Sequence, residues 1–293
     1  MFFSEICINS CMADAKVATI PNEFSQDFER VIEMLDDMGI NNVELASMWG
    51  KSVLDLSKEE EDRVDSILKE HGFVVSAIQT QIMKCHPRNS PHAKPDSKNM
   101  HSDLDYNLSR IDRAIELAER FKTNNIVTYS YFDKAGITES NWELMLKDYK
   151  FLVDKCKTAG KTMVLENEHD TYVALIDDIA RIMGHFDSPH LRWLFDTGNL
   201  FRRVKDYTVR DHEKVGQYIG YWHIKDVKKR FFGRIKSWAV FGEGFVPFEK
   251  IFPKFIRDGY NGYFSAEPHQ HGPKKVQLAK QHVLNLKEYL ESL

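Results

Sequence analysis

Cysteine is scarce in this chain. Cys7, Cys11, Cys85 and Cys156 are the only four in 293 residues, and no two stand in a Cys-x-x-Cys spacing. Disulfide-stapled scaffolds are short and cysteine-dense, so these read as reduced thiols. Long apolar runs are missing too: no stretch of about 18 apolar residues occurs, which argues against a membrane-spanning helix. Met1-Phe2-Phe3-Ser4-Glu5 has no basic segment leading into an apolar one, so no secretory signal is expected. A cytoplasmic location follows as the expectation. The formal charge is −4 with both signs interspersed. That leaves no global basic field for nucleic acid or an anionic membrane, and points to a small-molecule partner. A glycine-rich phosphate fingerprint is absent after the first apolar run. Gly242-Glu243-Gly244 is too short and wrongly placed to be one, so no nucleotide cofactor is indicated. Compositional breaks, low-complexity tracts and internal repeats are also absent, and one domain over residues 1–293 is the default.

What is present is an alternation of short apolar runs with 3.6-residue periodicity. Phe2 to Asn9 suits a first strand, with a polar loop to about Asn22. Phe24, Phe28, Val31, Ile32, Leu35 and Met38 share a helical face, closed by Gly39. Val43-Glu44-Leu45 opens a second strand, and Ser57-Lys58-Glu59-Glu60 resembles a capping box ahead of a helix to Lys69 with Gly72 as its stop. Phe73 to Ile82 reads as strand, Lys84 to Ser102 as a long polar loop, Leu104 to Phe121 as helix, Asn125 to Tyr131 as strand and Trp142 to Cys156 as helix. Four more strands follow, with helices near residues 172–183, 207–215, 246–257 and 276–290. Eight strands alternating with helices predict a parallel (β/α)8 barrel, in which functional groups sit at the C-terminal ends of the strands. Two doubly wound domains are the weaker alternative.

The stretch from Thr162 to His269 carries the chemistry. Its four apolar runs each end in a residue able to hold a divalent metal: Met163-Val164-Leu165-Glu166, Trp193-Leu194-Phe195-Asp196, Tyr221-Trp222-His223 and Phe264-Ser265-Ala266-Glu267. The intervals from Glu166 to Asp196, Asp196 to His223 and His223 to Glu267 are 30, 27 and 44 residues. One strand–helix–strand unit needs roughly 30, so each repeat returns to the same rim. Taken singly, each of these residues has a plain alternative as a salt-bridged carboxylate or a packed histidine; the inference rests on the four together. Three carboxylates and one imidazole in one pocket repel each other unless a cation is present. Hard oxygen donors with one nitrogen favour Mn²⁺, Mg²⁺ or Co²⁺, with Zn²⁺ as a further option.

Several motifs bear a family resemblance: Gly39-Ile40-Asn41-Asn42-Val43-Glu44-Leu45, Leu165-Glu166-Asn167, Phe195-Asp196-Thr197-Gly198-Asn199, His223-Ile224-Lys225-Asp226, and Gly242-Glu243-Gly244 running on to Gly259-Tyr260-Asn261-Gly262 and Glu267. Together they resemble the xylose isomerase-like TIM barrels, in particular the sugar phosphate isomerase/epimerase group of ketose 3-epimerases, hydroxypyruvate isomerase, inosose dehydratase and endonuclease IV. The resemblance implies Glu166, Asp196, His223 and Glu267 as metal ligands, with Glu166 and Glu267 also moving protons on opposite faces of a sugar-type substrate. It implies dimers or tetramers as well. The chain departs from many relatives at Asn199, where they carry a histidine. Gln79-Thr80-Gln81 and Tyr129-Ser130-Tyr131 stand where endonuclease IV needs further histidines, so a mononuclear site fits better and DNA repair does not.

The leading expectation is therefore a metal-dependent isomerase or epimerase of a small keto sugar or polyol derivative, acting through an enediolate. A dehydratase or lyase using the same site is the first alternative, and a non-catalytic sugar-binding barrel the second. Asn199, Lys225, His169, Glu44 and Trp49 are the substrate-side candidates. Lys225 could equally bridge a barrel carboxylate, His169 could be a plain loop residue, Glu44 could orient a ligand, and Trp49, like Trp238, could be packing. The basic run Lys228-Lys229-Arg230, with Arg234 and Lys236, reads as a solvated loop rather than an anion receptor.

Overall fold

Eight short strands rich in β-branched and aromatic residues close into one barrel. The computed structural model describes residues 16–229 and 235–293. The barrel strands are β1 (Lys16–Thr19), β2 (Asn42–Leu45), β3 (Val74–Gln79), β4 (Asn125–Thr128), β5 (Thr162–Glu166), β6 (Leu191–Asp196), β7 (Ile219–Ile224) and β8 (Tyr263–Ala266). Each is parallel to its sequence neighbours, and β1 closes the ring by pairing with both β8 and β2. The helices that pack around it are α1 (Phe28–Asp37), α2 (Lys58–Glu70), α3 (Leu104–Ser109), α4 (Ile111–Arg120), α5 (Glu139–Thr158), α6 (Ile176–Phe186), α7 (Thr197–Arg203), α8 (Val209–Val215), α9 (Phe248–Arg257) and α10 (Lys275–Ser292). Among the described residues no helix is long and apolar enough to cross a membrane.

The expected (β/α)8 architecture is present, with local differences. The run Phe2 to Asn9 lies outside the described residues. The first barrel strand is Lys16–Thr19, a segment expected to be loop. Only four residues long and opening on an exposed lysine, it has little of its own to mark it; pairing on both edges makes it a strand. The sixth labelled helix begins at Ile176 rather than near Tyr172. Residues 172 and 173 are held out of the helix by hydrogen bonds from the Tyr172 N–H to the Tyr131 carbonyl and from the Val173 N–H to Ser130 Oγ. The run from Leu104 to Phe121 is broken at Arg110 into α3 and α4. The Ser57 capping box is formed with Glu60, and Gly39, Gly72 and Gly160 follow their helices at φ of +64°, +69° and +65°.

Two antiparallel hairpins stand on the C-terminal rim. Ser47–Met48 pairs with Lys51–Ser52 after β2, and Asp226–Lys229 pairs with Ile235–Ala239 after β7. The second contains part of the basic run expected to be a loop; alternation around Val227 and Trp238 gives it strand character.

Strand parity sorts the core. Ala77, Val127, Tyr129, Val164, Leu194 and Tyr221 fill the inside of the barrel. Met163, Leu165, Trp193, Phe195, Trp222 and Phe264 belong to the larger core shared with the helices. A period of two then puts Glu166, Asp196 and His223 on the inner face, each two residues beyond Val164, Leu194 and Tyr221.

Candidate metal centre

Asp196 shows how local structure aims a side chain. It caps α7, with Oδ1 accepting from the Asn199 N–H at 2.7 Å. That bond fixes the carboxylate and leaves Oδ2 pointing into the barrel mouth. Asn167 sews the neighbouring strand ends together. Its Oδ1 accepts from the Asp196 N–H and the Trp193 indole, both at 2.9 Å, and its Nδ2 donates to the Asp196 carbonyl at 2.9 Å. Thr197 ties β6 to β7 by donating to the Lys225 carbonyl at 2.7 Å. Gly198 is required by close approach: a Cβ there would meet Lys225 Cβ at 2.5 Å and the Trp238 ring at 2.6 Å.

His223 is held from behind. Its Nε2 lies 3.0 and 3.1 Å from the two oxygens of Glu44, which also accepts from Ser265 Oγ at 2.8 Å. With Nε2 donating to that carboxylate, Nδ1 is the atom presented to the rim. Glu44 is fully buried. Its observed partners are His223 and Ser265, which is the orienting role weighed against substrate contact in the sequence.

Glu166, Asp196, His223 and Glu267 each offer one ligand atom, and these atoms all lie within 4.8 Å of one another. All four residues are buried. Glu166 Oε2, Asp196 Oδ2, His223 Nδ1 and Glu267 Oε2 make no well-directed hydrogen bond, although His223 Nδ1 lies 2.8 Å from Glu267 Oε2 and 3.2 Å from Glu166 Oε2. Polar atoms left without a directed hydrogen bond at such depth are rare, and four converging on one point fit a cation. Lys225 approaches them, with Nζ 2.6 Å from Asp196 Oδ2 and 2.9 Å from Glu267 Oε2, but off the hydrogen-bonding direction. Four buried carboxylates (Glu44, Glu166, Asp196, Glu267) face two cationic groups, so the cluster is short of positive charge even with His223 protonated.

The ionisation of these groups follows from that imbalance. Burial pushes the Asp196 carboxyl up to about 7, with Glu166 and Glu267 adding to the shift and Lys225 and His223 opposing it. For Glu166 burial also acts upward, but Lys225 and His223 outweigh it and hold the group below the usual range. Glu267 is held well below it against burial by Lys225, His223 and His269. His223 and Lys225 are pushed well above their ordinary values because the carboxylates outweigh their burial.

Of the other candidates, Asn199 joins the cluster, donating from Nδ2 to Glu166 Oε1 at 2.9 Å. Lys225 joins it as described. His169 folds back, its Nδ1 2.6 Å from Glu168 Oε1, while its carbonyl accepts from Arg203 at 2.6 Å. Trp49 packs edge-on to Phe28, lies under Arg63 and donates its indole N–H to Glu29 at 3.0 Å. Its φ of +53° is set by the tight hairpin it turns. Arg202 lies over the Trp238 ring. Sequence reasoning missed Glu168 and Lys84, joined at 2.5 Å beside the β5 end, and Glu23 and His269 beside Glu267. Glu168, Lys84 and His269 sit in irregular segments and Glu23 ends a three-residue 3₁₀ turn, where no periodicity aims a side chain.

The Gly242-Glu243-Gly244 motif has a mechanical explanation. The Asp226 carboxylate accepts backbone N–H groups from Val227, Gly242, Gly244 and Val246. A Cβ on residue 244 would fall 2.0 Å from Asp226 Oδ1, so only glycine fits.

Comparison with known proteins agrees with this architecture. A family model described as xylose isomerase-like TIM barrel matches residues 32–289. Inosose dehydratase of Geobacillus thermodenitrificans (strain NG80-2) is 27% identical over 153 residues, covering 47% of this chain and 51% of that protein. That alignment thus spans about half the length of the relative. Among solved structures, a xylose isomerase-like TIM barrel protein from Mycobacterium smegmatis in complex with magnesium superposes with a TM-score of 0.72 at 18% identity, over 95% of this chain and 98% of that one. An L-ribulose 3-epimerase superposes with a TM-score of 0.72 at 16% identity, over 95% of each.

Proposed function

Because the chain belongs to the xylose isomerase-like TIM-barrel family, we propose that it is a divalent-metal-dependent isomerase or epimerase of a small keto sugar or polyol derivative. The convergence of four buried ligand atoms, all within 4.8 Å of one another, carries this reading. Glu166, Asp196, His223 and Glu267 would hold the cation, which supplies Lewis acidity toward a substrate carbonyl oxygen. Mn²⁺, Mg²⁺ and Co²⁺ suit the three-oxygen, one-nitrogen donor set.

The chain's own groups do the rest. Glu166 and Glu267 come from β5 and the end of β8, separated around the rim by β6 and β7. One can take a proton from the carbon beside the carbonyl while the other returns it, and positioned acid/base groups contribute about 10²–10⁴-fold. Asn199 fixes the outer oxygen of Glu166. The Lys225 ammonium can stabilise charge that develops on a substrate oxygen as the proton leaves. Burial of the whole set lowers the local dielectric and strengthens these electrostatic interactions. A dimeric or tetrameric state accords with the family.

A second reading keeps the same site and ends in β-elimination, making the protein a dehydratase or lyase of a keto sugar, inosose or keto-glycoside. Similarity to an inosose dehydratase favours it. The first proton abstraction is common to both.

The test is metal analysis of the purified protein, then a screen of keto sugars, sugar phosphates and inososes in D₂O read by NMR. Deuterium entering a product of unchanged formula supports isomerisation, and an unsaturated product supports elimination. Glu166→Gln and Glu267→Gln are each expected to lower turnover by about 10²–10⁴-fold. Absence of bound metal, or full turnover in both variants, would sink the proposal.

A further inference from the structure

The two glutamates assigned to proton transfer are backed differently. Glu166 Oε1 is held by a neutral amide, that of Asn199. Glu267 Oε1 lies 3.1 Å from Nε2 of His269, an imidazole that is itself gripped at two points by Glu23. Glu23 Oε2 accepts the His269 backbone N–H at 2.7 Å, and its Oε1 lies 3.0 Å from Nδ1. Both oxygens of Glu23 and both ring nitrogens of His269 are thereby engaged, and the chain ends on the second oxygen of Glu267.

The sequence positions make this costly to arrange and easy to lose. Glu23 closes the 3₁₀ turn directly after β1, a buried carboxylate at the rim. His269 follows β8 and sits at φ +49°, a left-handed conformation uncommon for a residue with a side chain. Such conformations persist where the surroundings over-determine them, and cluster at functional sites. Here the Glu23 carboxylate fixes the backbone and ring of His269 together, and the Trp238 ring covers the imidazole at 5.3 Å. Partly buried in an irregular segment, His269 adds little to a core, so its contacts are best explained by what they hold.

We propose that Glu23 and His269 form a clamp that fixes the Glu267 carboxylate, turning Oε2 toward the ligand cluster by holding Oε1. Both are positioning residues that act through Glu267. The clamp rests on the metal-centre reading given above, and it adds that β1 and β8, the two strands that close the barrel, are joined at the site by this chain of contacts. Partners of ligating groups typically change metal affinity by about 10–100-fold when removed.

Titration of the purified, metal-stripped full-length protein with Mn²⁺ by calorimetry tests it. His269→Ala is expected to weaken Mn²⁺ binding about 10–100-fold. His269→Gln, whose amide can reach the same Glu267 oxygen, is expected to recover most of the loss, and Glu23→Gln to fall between. The two conservative variants keep the test open if His269→Ala folds poorly. Asp196→Asn serves as the control for the centre itself. If it weakens binding while the His269 and Glu23 variants do not, the clamp is wrong and the centre stands. If Asp196→Asn leaves Mn²⁺ affinity unchanged, both fall. A second equivalent of Mn²⁺ lost in His269→Ala would also overturn the clamp, since Glu23, His269 and Glu267 would then be ligands themselves.

Discussion

The inner and outer faces of β6 and β7 are made from alternate residues of the same two strands, yet they do opposite work. Outward, Trp193, Phe195 and Trp222 stack with ring centroids 4.3 and 4.7 Å apart and meet Phe255 and Phe264. Inward, Leu194 and Tyr221 give way within two residues to Asp196 and His223. The outer face gains stability from buried aromatic area and edge or stacked geometry. The inner face concentrates like charge in a dry pocket, which costs stability unless a cation offsets it. A short strand can thus carry both because its side chains alternate.

Phe195→Ala probes the outer face and is expected to have the largest effect. Deleting a fully buried phenyl ring typically costs about 3–5 kcal/mol, read by denaturant unfolding. The comparison predicts that Mn²⁺ affinity of the folded variant stays at the parent level. A large loss of affinity at full stability would show that the two faces are not separable.

His282 is a titratable group set into the outer layer. It is fully buried on α10, with Nδ1 accepting from the Phe241 N–H at 3.1 Å and Nε2 3.0 Å from the Ile224 carbonyl. Burial pushes its pKa down to about 4, so it is neutral in the folded protein near neutral pH. The unfolded chain protonates first, at its ordinary value near 6.5. Its contribution is therefore complete above pH 6.5 and fades as the pH falls toward 4, with about 3 kcal/mol at stake. Unfolding free energies measured from pH 7 to 4 should drop more steeply in the parent than in His282→Gln. Parallel curves would remove His282 from the account.

Glu44→Gln sharpens the inner half of the comparison. A neutral amide behind His223 no longer fixes which ring nitrogen faces the rim, and a loss of about 10–100-fold in Mn²⁺ affinity is expected by calorimetry, or about 1.4–2.7 kcal/mol. Unfolding of the metal-free variant should change little or shift upward, because one buried charge has gone. An unchanged affinity would return Glu44 to a purely structural part.

The four candidate ligands were legible in the sequence because each ends an apolar run at a spacing that one strand–helix unit imposes, and parity then decides which way it points. Lys225 was legible by the same parity, two residues beyond His223, and Asn199 through the family resemblance, at a position where relatives carry a histidine. The first strand was not, because Lys16–Thr19 owes its conformation to pairing across the barrel seam rather than to its own four residues. Glu23 and His269 were hidden more deeply. They are 246 residues apart, one ending a short 3₁₀ turn and the other in an irregular segment, so only the closed ring brings them together. Trp49 shows the opposite case, a residue conspicuous by type whose contacts with Phe28, Glu29 and Arg63 lie away from the ligand atoms.

Asp226 acts as a mooring post. It gathers amides from its own neighbour at 227 and from residues 242, 244 and 246, so the outgoing and returning ends of the hairpin are lashed to one side chain directly after Lys225. One carboxylate thus ties the place of Lys225 to backbone up to 20 residues further along the chain, and a change at Asp226 would be felt at the lysine.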